Sequence, residues 1–101
     1  MNCELWKERT ILMFGDESVE KLAKANVLVV GVGGAGASAA EMLVRAGLGN
    51  LTLADGDVVS DTNRNRQLIA LKSTVGRSKV EVLAERLLDI NPDVKLRLIH
   101  E

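Results

Sequence analysis

The sequence predicts an α/β fold: a Rossmann-like β-α-β-α-β half of a doubly wound, mostly parallel sheet, preceded by an N-terminal helical segment. Three observations carry this. An apolar run, Asn26-Val27-Leu28-Val29-Val30, leads straight into a glycine-rich turn at 31–36, the context of a buried strand meeting a helix. Strand-like and helix-like stretches then alternate as far as Ile99. The apolar palette is Val, Leu, Ile and Ala, with Trp6 and Phe14 the only aromatics, which suits a parallel sheet covered by helices.

Each element follows from its local pattern. Residues 5–14 predict a short helix or helical turn anchored by Leu5, Ile11, Leu12 and Phe14 and ended by Gly15, and residues 18–25 a second helix with Val19, Leu22 and Ala23 on one face. After the first strand and its glycine turn, residues 37–46 form an alanine-rich helix closed by Gly47. Leu51-Thr52-Leu53-Ala54-Asp55 reads as a second strand ending in a carboxylate. Residues 57–73 have no clean period, and long loops of this kind are disproportionately functional. Ser78-Lys79-Val80-Glu81 fits a capping box. The helix that it opens carries Val80, Leu83, Ala84, Leu87 and Leu88 on one stripe and stops at Asn91-Pro92. Residues 94–99 alternate as a third strand. An open three-stranded parallel sheet leaves its edges uncovered, so more chain or a partner is expected to complete it. We divide the chain into a helical lead-in, 1–25, and a β-α-β-α-β unit, 26–101.

Composition excludes several classes. The 13 Lys+Arg nearly balance 14 Asp+Glu, for a net charge of −1, so bulk charge does not make this a polyanion binder. The lack of aromatic platforms argues against a base-stacking module. One cysteine, Cys3, permits no internal disulfide or all-cysteine zinc site, and the single histidine, His100, lacks companions for a metal centre. No apolar run is long enough for a membrane span. The charged N-terminus does not read as a signal peptide, so the expected setting is cytoplasmic.

The chemistry concentrates at two places. Gly31-Val32-Gly33-Gly34-Ala35-Gly36 matches G-x-G-x-x-G between a strand and a helix. Gly31 permits the tight turn, Gly33 the approach of a phosphate, and Gly36 close packing of helix on strand; the helix N-terminus then offers N–H donors to an anion. Asp55, 19 residues beyond Gly36 at the end of the next strand, is placed to accept hydrogen bonds from a ribose. These two signals imply an adenine nucleotide without separating NAD from ATP. Asn63-Arg64-Asn65-Arg66-Gln67 and Lys79 add cations in the irregular loop and at the next helix start. Fixed cations suit a triphosphate better than a redox dinucleotide. An ordinary solvated loop is the alternative.

At these residues the chain resembles a family. GVGGAG, LTLADGDVV, TNRNRQLIAL and STVGRSKVEVLAERLLDINP, in that order, are similar to the adenylating domain of the ubiquitin-activating-enzyme superfamily. Within it, T-N-x-N-R-Q followed by A-L and S-T-V-G-x-x-K resembles the tRNA threonylcarbamoyladenosine dehydratase branch. The likeness runs from about Leu5 to Ile99. It implies ATP-dependent carboxylate adenylation, with ATP and Mg2+ and with tRNA as the substrate of the full-length protein. It also implies Gly33 and Gly34 against the phosphates and Asp55 on the ribose. Asn63, Arg66 and Lys79 then face the phosphates, Arg66 and Lys79 stabilising developing charge. Gln67 belongs to the same motif, and Asp57 matches a frequent family acid near the site. Arg9 matches a position from which family dimers reach an arginine into the partner's site, so a homodimer is expected. Arg64 stands where the family usually has a smaller or apolar residue. The family's magnesium-associated aspartate falls beyond the third strand, and the chain is expected to be the N-terminal half of a longer domain. Three other readings stay open: an adenylyltransferase acting on a ubiquitin-like sulfur-carrier protein, with a sulfur-transfer protein as possible partner; an NAD-dependent oxidoreductase; and a truncated, non-catalytic nucleotide-binding module.

Overall fold

A computed structural model describes residues 5–101; Cys3 lies outside them. A 3-10 turn at Leu5–Lys7 leads into α1 (Glu8–Phe14) and α2 (Asp16–Lys24), followed by β1 (Asn26–Val30), α3 (Gly34–Ala46), β2 (Asn50–Ala54), a 3-10 turn at Asp61–Asn63, α4 (Lys79–Ile90) and β3 (Lys95–Ile99). The strands form one parallel sheet in the order β1-β2-β3, with Val29 beside Leu53 and Leu53 beside Leu98. The β-α-β-α-β expectation and its parallel register are both met.

The core lies between one face of this sheet and helices α3 and α4. Leu51 and Leu53 of the central strand are fully buried and pack with Val27, Val29, Leu96 and Leu98 of the flanking strands. From above come Ala37, Ala40 and Val44 of α3 and Val80, Leu83 and Leu87 of α4. The predicted α4 stripe holds, with one correction: Leu88 is exposed and Val82 is buried in its place. The small side chains of α3 let the helix lie close to the strands, and Gly47, in the left-handed conformation, ends it. On the opposite face of the sheet Leu28 and Val30 remain 58% and 75% exposed, although parallel sheets are normally covered on both faces.

The lead-in departs from expectation. Leu5, Leu12 and Phe14, expected as anchors, are exposed, because α1 packs chiefly on α2 and buries no residue of its own. Only Val19 of α2 is buried.

Loop 59–77 is irregular but organised. Val59 pairs with both ends of its return, receiving Gly76 N–H at 2.8 Å and donating to Arg77 O at 2.8 Å. Val59, Ile69 and Ala70 are buried beneath it. The Thr74 hydroxyl donates to Ile69 O at 2.7 Å and accepts Leu71 N–H at 2.8 Å. A loop with its own apolar contents and closed base holds its surface residues in fixed places.

One charged cluster joins the two covering helices. Glu41 of α3 accepts from Arg86 of α4 and from Arg45 one turn on. The bond from Arg86 is the main cause holding the Glu41 carboxyl below its ordinary value of 4.5, and partial burial opposes it. A carboxylate whose folded-state pKa is depressed stabilises the fold above its unfolded value and loses that contribution as pH falls through the folded one. Acid titration of stability is therefore expected to show a loss beginning below pH 4.5 that Glu41→Gln removes, read as denaturation midpoints from pH 7 to pH 3.

Candidate nucleotide site

The glycine turn is fastened to the end of β2. Gly31 N–H donates to Ala54 O at 2.8 Å, continuing the parallel ladder one residue past β1. Val32 is fully buried, and its N–H donates to Asp55 Oδ2 at 2.9 Å. Gly31 and Gly34 adopt φ of 82° and 48°, conformations costly for a side chain. A Cβ on Gly36 would overlap the Gly31 carbonyl. Helix α3 begins at Gly34, within the turn rather than at residue 37, and its N-cap, Gly33, carries no side chain to close the helix end. Its first N–H groups thus have no side-chain cap, the arrangement that favours an anion.

Asp55 lies one residue past β2. Its second oxygen, Oδ1, accepts Asp57 N–H at 2.8 Å. One carboxylate therefore sets both the glycine turn and the following loop, and it keeps unused lone pairs on each oxygen. Gln67 comes to the same place from the 59–77 loop. Its amide sits so close to Gly33 that an added Cβ there would lie 2.8 Å from Nε2. Gln67 Oε1 is buried without a hydrogen-bond partner, the one such side-chain atom among the described residues. Two features thus fit a bound polar ligand: a glycine cradle that a side chain would fill, and an orphaned acceptor at its wall.

Lys79 opens α4. Its side chain is only 8% exposed, and its ammonium lies 4.0 Å from Asp57 Oδ2, whose own side chain is 78% exposed. Helix and loop are locked here by backbone, with Lys79 N–H donating to Asp57 O at 3.1 Å and a bridge between Val58 and Ser78. A buried ammonium whose counterion among the described residues is the loosely placed Asp57 is poised to accept further negative charge.

Arg66 is exposed one residue before Gln67, its Nη1 donating to Thr62 O and Asn65 Oδ1, both at 2.9 Å. Asn63 is buried and turned to Ser60, its Oδ1 accepting Ser60 N–H at 3.0 Å; in this chain it shapes the start of the loop. Arg64 forms an exposed ion pair with Asp61 at 3.2 Å. The fold thus gathers Gly31, Gly33, Gly34, Gly36, Asp55, Asp57, Gln67 and Lys79 at the carboxyl ends of the strands, with Arg66 beside them. Arg9 is apart. It is exposed on α1, whose Thr10 and Phe14 line a cleft with Ala46 at the far end of α3, about 20 Å of helix from the turn.

Sequence reasoning missed two features. The expected capping box at Ser78 is not formed: no side chain caps α4. The Ser78 hydroxyl instead meets His100 Nδ1 at 3.3 Å. A capping box forms at Ser60–Asn63, where Asn in place of Glu or Gln gave the pattern no recognisable signature. Among the described residues no group of three His, Cys, Asp or Glu side chains converges on a metal position. Asp55 binds two N–H groups, and Asp57 lies 4.0 Å from the Lys79 ammonium. Among the described residues no helix is long and apolar enough to cross a membrane.

Comparison with known proteins agrees with this geometry. Over 101 aligned residues, covering 97% of this chain and 38% of the relative, it is 42% identical to the tRNA threonylcarbamoyladenosine dehydratase of Escherichia coli (strain K12). It is 43% identical over 83 residues, 82% of this chain and 33% of the relative, to the molybdopterin-synthase adenylyltransferase of the same organism. The crystal structure of E. coli tRNA N6-threonylcarbamoyladenosine dehydratase, TcdA, in complex with ATP superposes with a TM-score of 0.92 at 42% identity, covering 94% of this chain and 39% of that one. The chain thus spans less than two-fifths of the length of these relatives. Residues 7–101 match the ThiF family, and the chain belongs to that family.

Proposed function

We propose that this chain is the ATP-binding part of an adenylating enzyme that activates the threonylcarbamoyl carboxylate on a tRNA adenosine for cyclisation, with residues 26–101 as the nucleotide-binding unit and 1–25 as its lead-in. The observation that carries the reading is the meeting of the glycine turn, Asp55 and the buried Lys79 at one end of the sheet. The named relatives support the choice of ATP and of tRNA.

In this reading ATP is a substrate. A carboxylate oxygen attacks the α-phosphorus, the bond to the bridging oxygen of the β-phosphate breaks, and pyrophosphate leaves. The acyl-adenylate then closes into a ring, the carboxylate oxygen departing with AMP, so that the nucleoside has lost the elements of water. The chain's residues position and neutralise. The α3 N-terminus and Gly33–Gly34 receive phosphate oxygens, and Asp55 receives ribose hydroxyls on its remaining lone pairs. Lys79 and Arg66 balance charge on the phosphates, with Asn63 holding the loop that carries Arg66. In this reading magnesium travels with the triphosphate. Exposed Leu12, Met13 and Phe14 beside Arg9 on α1 support a homodimer in which Arg9 enters the partner's site. Such an enzyme works in the cytoplasm, with tRNA and ATP at hand. Activation of a sulfur-carrier protein is the second reading, favoured by the likeness to the molybdopterin-synthase adenylyltransferase.

The test is equilibrium binding of Mg·ATP and of NAD. ATP is expected to bind and NAD not, and Arg66→Ala is expected to weaken ATP about tenfold, the worth of one charge-assisted phosphate contact. Preference for NAD, unaffected by Arg66→Ala, refutes the adenylating reading.

A further inference from the structure

We propose that His100 is a positioning residue that latches the first turn of α4, and with it Lys79, to the end of β3. The inference rests on the nucleotide-binding reading above. Ser78 and Glu81 have the spacing of a capping pair, yet both turn away from the helix end to one imidazole. The Ser78 hydroxyl is 3.3 Å from His100 Nδ1, and Glu81 Oε1 is 3.8 Å from Nε2. A carboxylate facing Nε2 favours the proton on that nitrogen, leaving Nδ1 as a lone pair that accepts the Ser78 O–H. Two residues of one helical turn thus face opposite edges of the same ring, Ser78 at hydrogen-bond distance and Glu81 as a longer charged neighbour.

The ring is well placed for this. His100 follows β3 directly, and β3 is tied to the site loop by Asp55 N–H donating to Ile99 O at 3.0 Å. Gly56 passes close against the Glu101 backbone. The other side of the same helical turn is held by Lys79 N–H on Asp57 O and by the Val58–Ser78 bridge. Without the imidazole the α4 N-terminus keeps its core packing through Val80 and its Asp57 and Val58 contacts but loses its tie to β3, and the Lys79 ammonium is held less closely. The Ser78 hydroxyl, once released, is free to cap its own helix. Loss of the latch therefore leaves fold stability nearly unchanged while weakening the ligand that Lys79 meets. A purely structural role gives the opposite pattern.

The ring is 51% exposed, so a modest effect is expected. Calorimetry with Mg·ATP on the full chain should give a Kd for His100→Ala raised roughly threefold to fivefold, the scale of an exposed polar contact. Its Tm should stay within about 2 °C of the unaltered chain. His100→Asn, whose Oδ1 can take the place of Nδ1 opposite Ser78, should recover at least half of that loss. Nitrogen-15 spectra of the single imidazole should give the Nε2–H tautomer in the unaltered chain and a mixture in Ser78→Ala. Lack of ATP binding by the unaltered chain refutes the nucleotide reading. ATP binding that His100→Ala leaves unchanged, or an Nδ1–H tautomer, overturns the latch alone.

Discussion

Gly36→Ala is expected to cost at least about 3 kcal/mol and to lower Tm by more than about 10 °C, the effect of a methyl forced against packed backbone. The added Cβ would overlap the Gly31 carbonyl oxygen and carbon. These are backbone atoms, and they cannot step aside. Gly31 N–H is bonded to Ala54 O, and the next residue, Val32, is buried with its N–H on Asp55. Relief requires α3 to lift from the sheet, which exposes Ala37 and Ala40 and opens voids beside Leu53. A net stability of roughly 5–15 kcal/mol leaves little margin for such a change. Gly76→Ala is the control. It has a positive φ of 89° but nothing within 4 Å of the added carbon, so it carries the conformational cost alone, about 1–2 kcal/mol. Thermal denaturation of both variants beside the unaltered chain checks the ordering. Equal Tm values would mean that close packing of helix on strand is not what Gly36 serves.

Lys79→Met is expected to weaken Mg·ATP binding about 10- to 100-fold while leaving the fold as stable as before or more so. The side chain is almost fully buried, and its recorded counterion among the described residues is the exposed Asp57 at 4.0 Å. Desolvation makes an unneutralised ammonium costly, and replacing such a charge by an apolar chain of similar length is often neutral or stabilising. With phosphate present the balance reverses, because a charge-assisted bond made away from water is worth about 1.5–3 kcal/mol. Opposite changes in stability and affinity mark a residue kept for its ligand. Titration calorimetry and a denaturation curve on the same sample settle it; a variant that loses stability and affinity together would make Lys79 a structural residue.

Much of the site was legible in the chain order. Gly31–Gly36 and Asp55 announce themselves because a strand–turn–helix with a carboxylate on the neighbouring strand is a local pattern. The parallel register then places both at the same end of the sheet. Lys79 was legible as a cation at a helix start. Its burial was not, because that depends on which distant segments pack around the first turn of α4. The helical stripe of α4 was readable apart from Leu88, whose exchange with Val82 turns on the angle at which the helix meets the sheet.

The sequence by itself determined the order of elements, the parallel sheet, the glycine turn and the acid beyond it. Each depends on residues close in the chain, where periodicity and backbone sterics act directly. Only the tertiary structure decided that Asp55 organises two backbone segments, that Gln67 lies against Gly33 with an unmet oxygen, and that Ser78 and Glu81 abandon a helix cap for an imidazole 22 residues away from Ser78. It also left Arg9 away from the site within this chain. In each of these cases a polar group chose between a local partner and a distant one. That choice depends on which backbone happens to arrive beside it, and no window of sequence contains that information.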